Sequence, residues 1–224
     1  MIRRLALFDC DGTLVDSGAT IASALAESFH RHGRVEPPVT QSRRVVGLSL
    51  TEAMAALAPD AAAAEHDALA GTYRDVFIAM RAAGQVEEPL YDGIAELLDS
   101  LQGEGWLLGV ATGKSDRGLR HCLSALGLLD RFVTLQTATD HPSKPSPSMA
   151  LKAMAEAGVT PANTVVIGDT AFDMGMARAA GTHAIGVAWG YHPEADLIAA
   201  GAQAIAQVPA DVFTIAQALD RQAA

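Results

Sequence analysis

Short apolar runs that stop at acids, hydroxyls or glycines, separated by segments of helical period, constrain this chain more than any other feature. Arg4–Phe8 is the first such run, and similar runs recur at Trp106–Ala111, Phe132–Thr137, Thr164–Ile167 and Ala184–Ala188. Each has the length of a strand and the near-continuous apolarity of one buried on both faces. Between them, Ile94, Leu97, Leu98 and Leu101 form one helical stripe, and Leu119, Cys122, Leu123 and Leu126 form another. Strand and helix in repetition predict an α/β fold, with a doubly wound parallel sheet of Rossmann-like type at its core.

The alternation fails once. Residues 17–84 hold no convincing strand but several helix-like pieces, Ala19–His32, Thr51–Leu57 and Ala61–Ala83, in which alanine dominates. Alanine is the best helix former, so an all-helical insertion after the first strand is expected. The expected core is then residues 1–16 and 85–224, and the insertion is residues 17–84. Pro37-Pro38 and Glu88-Pro89 are the breaks inside and after it.

Composition narrows the function classes. The chain has 224 residues, 50% hydrophobic and 19% charged, which is globular and not disordered. With 16 Lys and Arg against 26 Asp and Glu, the net charge is −10. Phosphate backbones and anionic membranes select basic surfaces, so neither nucleic acid nor membrane is expected as a partner. No run of about 18 apolar residues is present to span a bilayer, and Met1–Leu7 lacks the pattern of a signal peptide. Cys10 and Cys122 are too far apart in sequence for a disulfide framework. They are expected to be small buried hydrophobes in a reducing, cytoplasmic compartment.

Ligands of open parallel sheets gather at the carboxyl ends of the strands. The first run ends in Asp9-Cys10-Asp11-Gly12-Thr13, the second in Thr112-Gly113-Lys114-Ser115, and the run from Thr164 in Gly168-Asp169-Thr170. A proline-rich loop with Lys144 at its centre follows the third. Asp9 and Asp11, two residues apart, point to one side of an extended chain. Two carboxylates this close repel unless a cation lies between them, and an all-oxygen site favours Mg²⁺. Asp169 could add a ligand, and Thr112 and Lys144 would face an anion on the metal.

Blander readings exist for each residue alone. A D-x-D can be a turn device, Thr112 can cap the helix near Asp116, and Lys144 can be a solvated charge. Their coincidence at one sheet edge favours a common site. Gly109–Ser115 imitates a phosphate-cradling P-loop, but three residues separate its glycines where four are required. The seven histidines show no metal-ligand spacing, and His141 and His192 are expected on the surface.

Asp9-Cys-Asp11-Gly-Thr-Leu-Val-Asp16-Ser17, then Thr112, Lys144-Pro145 and Gly168-Asp169-x-x-x-Asp173, resemble the four ordered motifs of the haloacid dehalogenase superfamily. With Trp189-Gly190-Tyr191, they are most similar to its phosphoglycolate phosphatase-like branch, and the helical insertion looks like that family's cap. The resemblance implies Asp9 as nucleophile and Asp11 as general acid and base. It further implies Mg²⁺ held by Asp9, the Asp11 backbone carbonyl and Asp169. Thr112, Gly113 and Lys144 would hold the phosphoryl group, and Asp173 would orient Lys144 from behind. Arg43, Arg44 and Gly47 resemble the family's specificity loop, where an arginine could grip a carboxylate or second phosphate; a solvated helix face is the other reading. Ser148 departs from the acid often found after the lysine loop, with Ser146 expected to cap the helix and Pro147 to open it.

The expected activity is hydrolysis of a small phosphorylated metabolite, such as phosphoglycolate, by a Mg²⁺-dependent phosphatase acting as a monomer or homodimer. A phosphotransferase of the beta-phosphoglucomutase type shares the motifs. A receiver-type signalling module would need neither Asp11 nor a cap.

Overall fold

The computed structural model describes residues 3–223. Strands β1 (Arg4–Phe8), β2 (Trp106–Thr112), β3 (Thr134–Thr137), β4 (Thr164–Gly168), β5 (His183–Val187) and β6 (Ala204–Ala206) form one sheet in the order β3-β2-β1-β4-β5-β6. Every pairing is parallel. The order reverses direction at β1, so the Asp9 end of β1 lies at the topological switch point, where open α/β sheets place their ligands.

Four helices, α1 (Gly18–Arg31), α2 (Val39–Arg44), α3 (Leu50–Leu57) and α4 (Ala63–Ala82), lie between β1 and β2 in the chain. The sheet is covered by α5 (Ile94–Gly103), α6 (Asp116–Ala125), α7 (Ser148–Ala157), α8 (Ala171–Ala180), α9 (Glu194–Ala200) and α10 (Pro209–Ala223).

Alternation along β1 explains why the sheet needs cover on both sides. Ala6 and Phe8 join a cluster with Leu98 and Leu101 of α5, Leu119 and Leu123 of α6 and Val212 of α10. Leu5 and Leu7 join the opposite cluster, with Met149 and Ala153 of α7, Met174 and Ala177 of α8 and Leu197 of α9. All four β1 side chains are fully buried. Burying each large one contributes about 1.5–3 kcal/mol, so strand and helices stabilise each other. The inserted helices have an apolar cluster of their own, built on Leu25, Phe29, Met54, Leu69 and Val76.

The chain segments that lead into and out of the insertion are joined by a short bridge. Val15 pairs with Leu90, and the Asp16 amide donates to the Pro89 carbonyl at 2.9 Å. The differences from expectation are local. Residues 132 and 133 precede β3 because a 3₁₀ turn at Leu129–Arg131 delivers the chain late. Strand β6 has only three residues, too few for a periodic signal. Arg44 ends a six-residue helix, α2, which is too short to show a stripe. Pro147 sits one residue before α7, and the Ser146 hydroxyl accepts only a long bond, 3.4 Å, from the Ser148 amide.

Candidate active site

The turn after β1 is made by backbone hydrogen bonds and one glycine. The Asp9 amide donates to the Ile167 carbonyl (2.9 Å), continuing the β1–β4 ladder by one residue. The Cys10 carbonyl then accepts from the Leu14 and Val15 amides at 2.9 and 3.0 Å. Gly12 has φ +83°, a conformation costly to any residue with a Cβ, and a Cβ there would overlap the Asp169 carboxylate. The turn thus packs directly against the end of β4.

Asp9 is 1% exposed. Its Oδ1 accepts from the Cys10 amide at 2.6 Å and lies 3.0 Å from Lys144 Nζ. Its Oδ2 is buried and has no hydrogen-bond partner among the described residues. Burial pushes the Asp9 carboxyl up to about 7; Lys144 pulls against this, while Asp173 and Asp11 add to it. Asp169 is fully buried, accepting from Thr13 Oγ1 on Oδ1 and from the Tyr191 amide on Oδ2, both at 2.9 Å. Burial, then the charges of Asp9 and Asp173, hold it well above the usual carboxylate range. Ligand atoms of Asp9, Asp169 and Asp173 lie within 4.8 Å of one another.

Lys144 is delivered to this cluster from the proline-rich loop and is 1% exposed. Its Nζ donates to Asp173 Oδ1 at 2.6 Å. Burial alone would lower its pKa, but Asp173 and Asp9 more than offset that and raise it above the ordinary lysine value. Asp173 is held in turn by a capping box at the start of α8: Thr170 donates to Asp173 Oδ2 from its amide (3.1 Å) and its hydroxyl (2.6 Å). Both Asp173 oxygens are therefore engaged, whereas Asp9 keeps one free.

Asp11 turns away from the cluster. Its Oδ1 accepts from Ser17 and pairs with Lys114 Nζ at 2.7 Å. Thr112 is 1% exposed at the end of β2, with its hydroxyl accepting from the Lys114 amide at 3.2 Å. The helix after it is capped by Ser115, whose hydroxyl accepts from the Gly118 amide, so Thr112 is not the cap. Gly113 lets the insertion approach, since a Cβ there would lie 2.5 Å from the Leu48 carbonyl oxygen. Asp9, Asp11, Thr112 and Gly113 share one cavity with Gly47.

Arg44 is not brought to that cavity. Its exposed guanidinium pairs with Asp196, and Arg43 is exposed. His192, expected on the surface, is 7% exposed. It accepts from the Ala171 amide through Nδ1 (3.2 Å), its Nε2 lies 3.2 Å from the Arg44 carbonyl, and its ring meets Phe172 edge-on. Proximity in space, invisible along the sequence, explains the difference. The two cysteines also meet: Cys10 and Cys122 are both buried, and a hydrogen bond with Cys122, followed by burial, raises the Cys10 thiol far above its usual range.

Sequence reasoning passed over Lys114 and Glu88. Lys114 bridges Asp11 and Glu88 at 2.7 Å each. Its place two residues after Thr112, and so on the same side of an extended chain, was an available signal. Glu88 offered none, because only the return of the chain from the insertion brings it here.

The profile of the haloacid dehalogenase-like hydrolase family matches residues 6–187. The chain belongs to that family. It is 34% identical over 222 residues to "Probable phosphatase IndB" of Dickeya dadantii, covering 97% of this chain and 95% of that one. It is 31% identical over 196 residues to a phosphoglycolate phosphatase of Xylella fastidiosa, covering 86% and 83%. The structure of a predicted phosphatase from Clostridium acetobutylicum superposes with a TM-score of 0.86 at 25% identity, covering 97% of this chain and 100% of that one. The haloacid dehalogenase-like chain is an enzyme of the phosphatase kind.

Proposed function

We propose that this enzyme is a Mg²⁺-dependent phosphatase that hydrolyses a small phosphorylated metabolite through an aspartyl phosphate on Asp9. The observation that carries the reading is the Asp9 carboxylate. One oxygen is held by Lys144 and the Cys10 amide, while the other is buried and unpartnered, and the carboxylate lies close to that of Asp169. An orphaned buried carboxylate oxygen beside a second buried carboxylate is costly without a cation, so the residues fit a divalent metal. Asp9, Asp169 and the Asp11 backbone carbonyl would hold it. Mg²⁺ there supplies charge neutralisation for two anions brought together.

The reaction then follows from the protein's own groups. The Asp9 carboxylate attacks phosphorus, and the bond from phosphorus to the ester oxygen breaks. Asp11, in its protonated form, gives a proton to the departing oxygen. It later takes a proton from the water that attacks the aspartyl phosphate, releasing orthophosphate. Lys144, Thr112 and the Gly113 backbone face the phosphoryl oxygens, where fixed donors act most strongly on charge developing in transit. Asp173 keeps Lys144 in place through the 2.6 Å contact. The inserted helices close over the site as a cap, which suits a small substrate and not a macromolecule.

A screen of phosphate monoesters with and without Mg²⁺, run beside Asp9→Asn, tests this. Expected is metal-dependent phosphate release that the substitution abolishes. Release that survives Asp9→Asn refutes the nucleophile, and release indifferent to chelation refutes the metal.

A further inference from the structure

The cavity above Asp9 is larger and more apolar than a two-carbon acid requires. It has a volume of about 480 Å³ and is walled by Ile21 and Leu25 of α1, Val46, Leu48, and Tyr73 and Phe77 of α4. Pockets of about 300–1,000 Å³ hold drug-sized organic molecules. A leaving group the size of glycolate would leave most of these apolar walls against water. Tyr73 and Phe77, one helical turn apart, present an aromatic pair with centroids 5.8 Å apart.

The charges around the cavity agree. A leaving group with a carboxylate close to the phosphate needs an uncompensated cation there. Lys114 is already shared between Asp11 and Glu88, at 2.7 Å from each. Arg81 pairs with Glu88 at 2.7 Å, and Arg44 is turned toward Asp196. Arg74 and Arg117 also line the cavity without an ion pair among the described residues, but both are exposed to solvent. A carboxylate beside the phosphate would instead meet Asp11.

We infer that the preferred substrate is a phosphate monoester whose alcohol carries an aromatic group, seated against Phe77 and Tyr73, and not a short carboxylated one. The inference rests on the phosphatase reading above. Size and wall chemistry point the same way, and burial of one aromatic ring is the term that would separate the two substrate classes.

The test compares kcat/KM for 2-phenylethyl phosphate, ethyl phosphate and phosphoglycolate on the Mg²⁺-loaded enzyme. All three are alkyl esters, so intrinsic leaving-group reactivity does not favour the aromatic one. Expected is a preference for 2-phenylethyl phosphate over ethyl phosphate of about 10- to 100-fold, the worth of burying a phenyl ring, and a preference over phosphoglycolate. Equal or better turnover of phosphoglycolate or ethyl phosphate overturns the inference and leaves the phosphatase standing. Release from none of a broad set of monoesters overturns both. Phe77→Ala should cut the 2-phenylethyl to ethyl ratio about tenfold, and Phe77→Leu, which keeps the core filled, should cut it less. A ratio unchanged in both variants also overturns it.

Discussion

Lys114 Nζ lies 2.7 Å from Asp11 Oδ1 and is nearly buried with it, each side chain 10% exposed. The same ammonium reaches Glu88 Oε1 at 2.7 Å, so a residue just past β2, one just past β1 and one at the chain's return from the insertion meet at a single cation. Burial works against the Lys114 charge, but Asp11 foremost, with Cys10 and Glu88, holds its pKa well above the ordinary lysine value. Removing the cation leaves two carboxylates facing each other in a poorly solvated place.

Lys114→Met should therefore destabilise the protein by about 3–5 kcal/mol, the cost of breaking a buried ion pair on one side. Adding Glu88→Gln to Lys114→Met should restore part of that. Urea unfolding of the two variants checks it; a double variant no more stable than the single one would show that the carboxylates are not in conflict.

Asp173 has two tasks, and two substitutions separate them. Asp173→Asn weakens its clamp on Lys144, and phosphate release should fall about 10- to 100-fold, the usual effect of losing a supporting hydrogen-bond partner. Thr170→Ala removes the side-chain cap of α8, which contributes about 1 kcal/mol, and should change activity far less. Thermal unfolding and steady-state kinetics on both variants give the comparison.

Gly190→Ala should weaken metal use without substituting a ligand. A Cβ at this position would lie 2.5 Å from Asp169 Oδ2, so the carboxylate must move. The Mg²⁺ concentration for half-maximal activity should rise at least about tenfold. A titration superimposable on that of the unmodified enzyme would show that Asp169 is not set by this contact.

Asp9 links stability to pH. Its folded value of about 7 lies above its ordinary 3.8, so the folded state binds the extra proton. The contribution is fully present below about pH 4, declines as pH rises toward 7 and is gone above it. In metal-free protein, stability should fall more steeply from pH 4 to 7 than in Asp9→Asn. Mg²⁺, competing with that proton, should stabilise by about 2.7 kcal/mol at pH 8 at a hundredfold excess over the Kd there, and by less at pH 5.5 at the same concentration. Calorimetry across pH, with and without Mg²⁺, reads both slopes.

The sequence by itself determined five of the sheet's six strands, the inserted helices and the acids at the strand ends, because each depends on neighbours in the chain. Arg4–Phe8 is a strand wherever its apolar faces find cover, and Asp9 and Asp11 stand at its end by spacing alone. What each side chain does there was decided only by tertiary structure. Asp169 is brought against Gly12 and Gly190 by the β1–β4 pairing and the loop after β5. Lys144 is committed to Asp173 and Asp9, Lys114 to Asp11 and Glu88, and Arg44 to Asp196 instead of the cavity. Local pattern records hydrophobic period and backbone preference. The pairing of charges depends on distances through space, which only the folded chain sets.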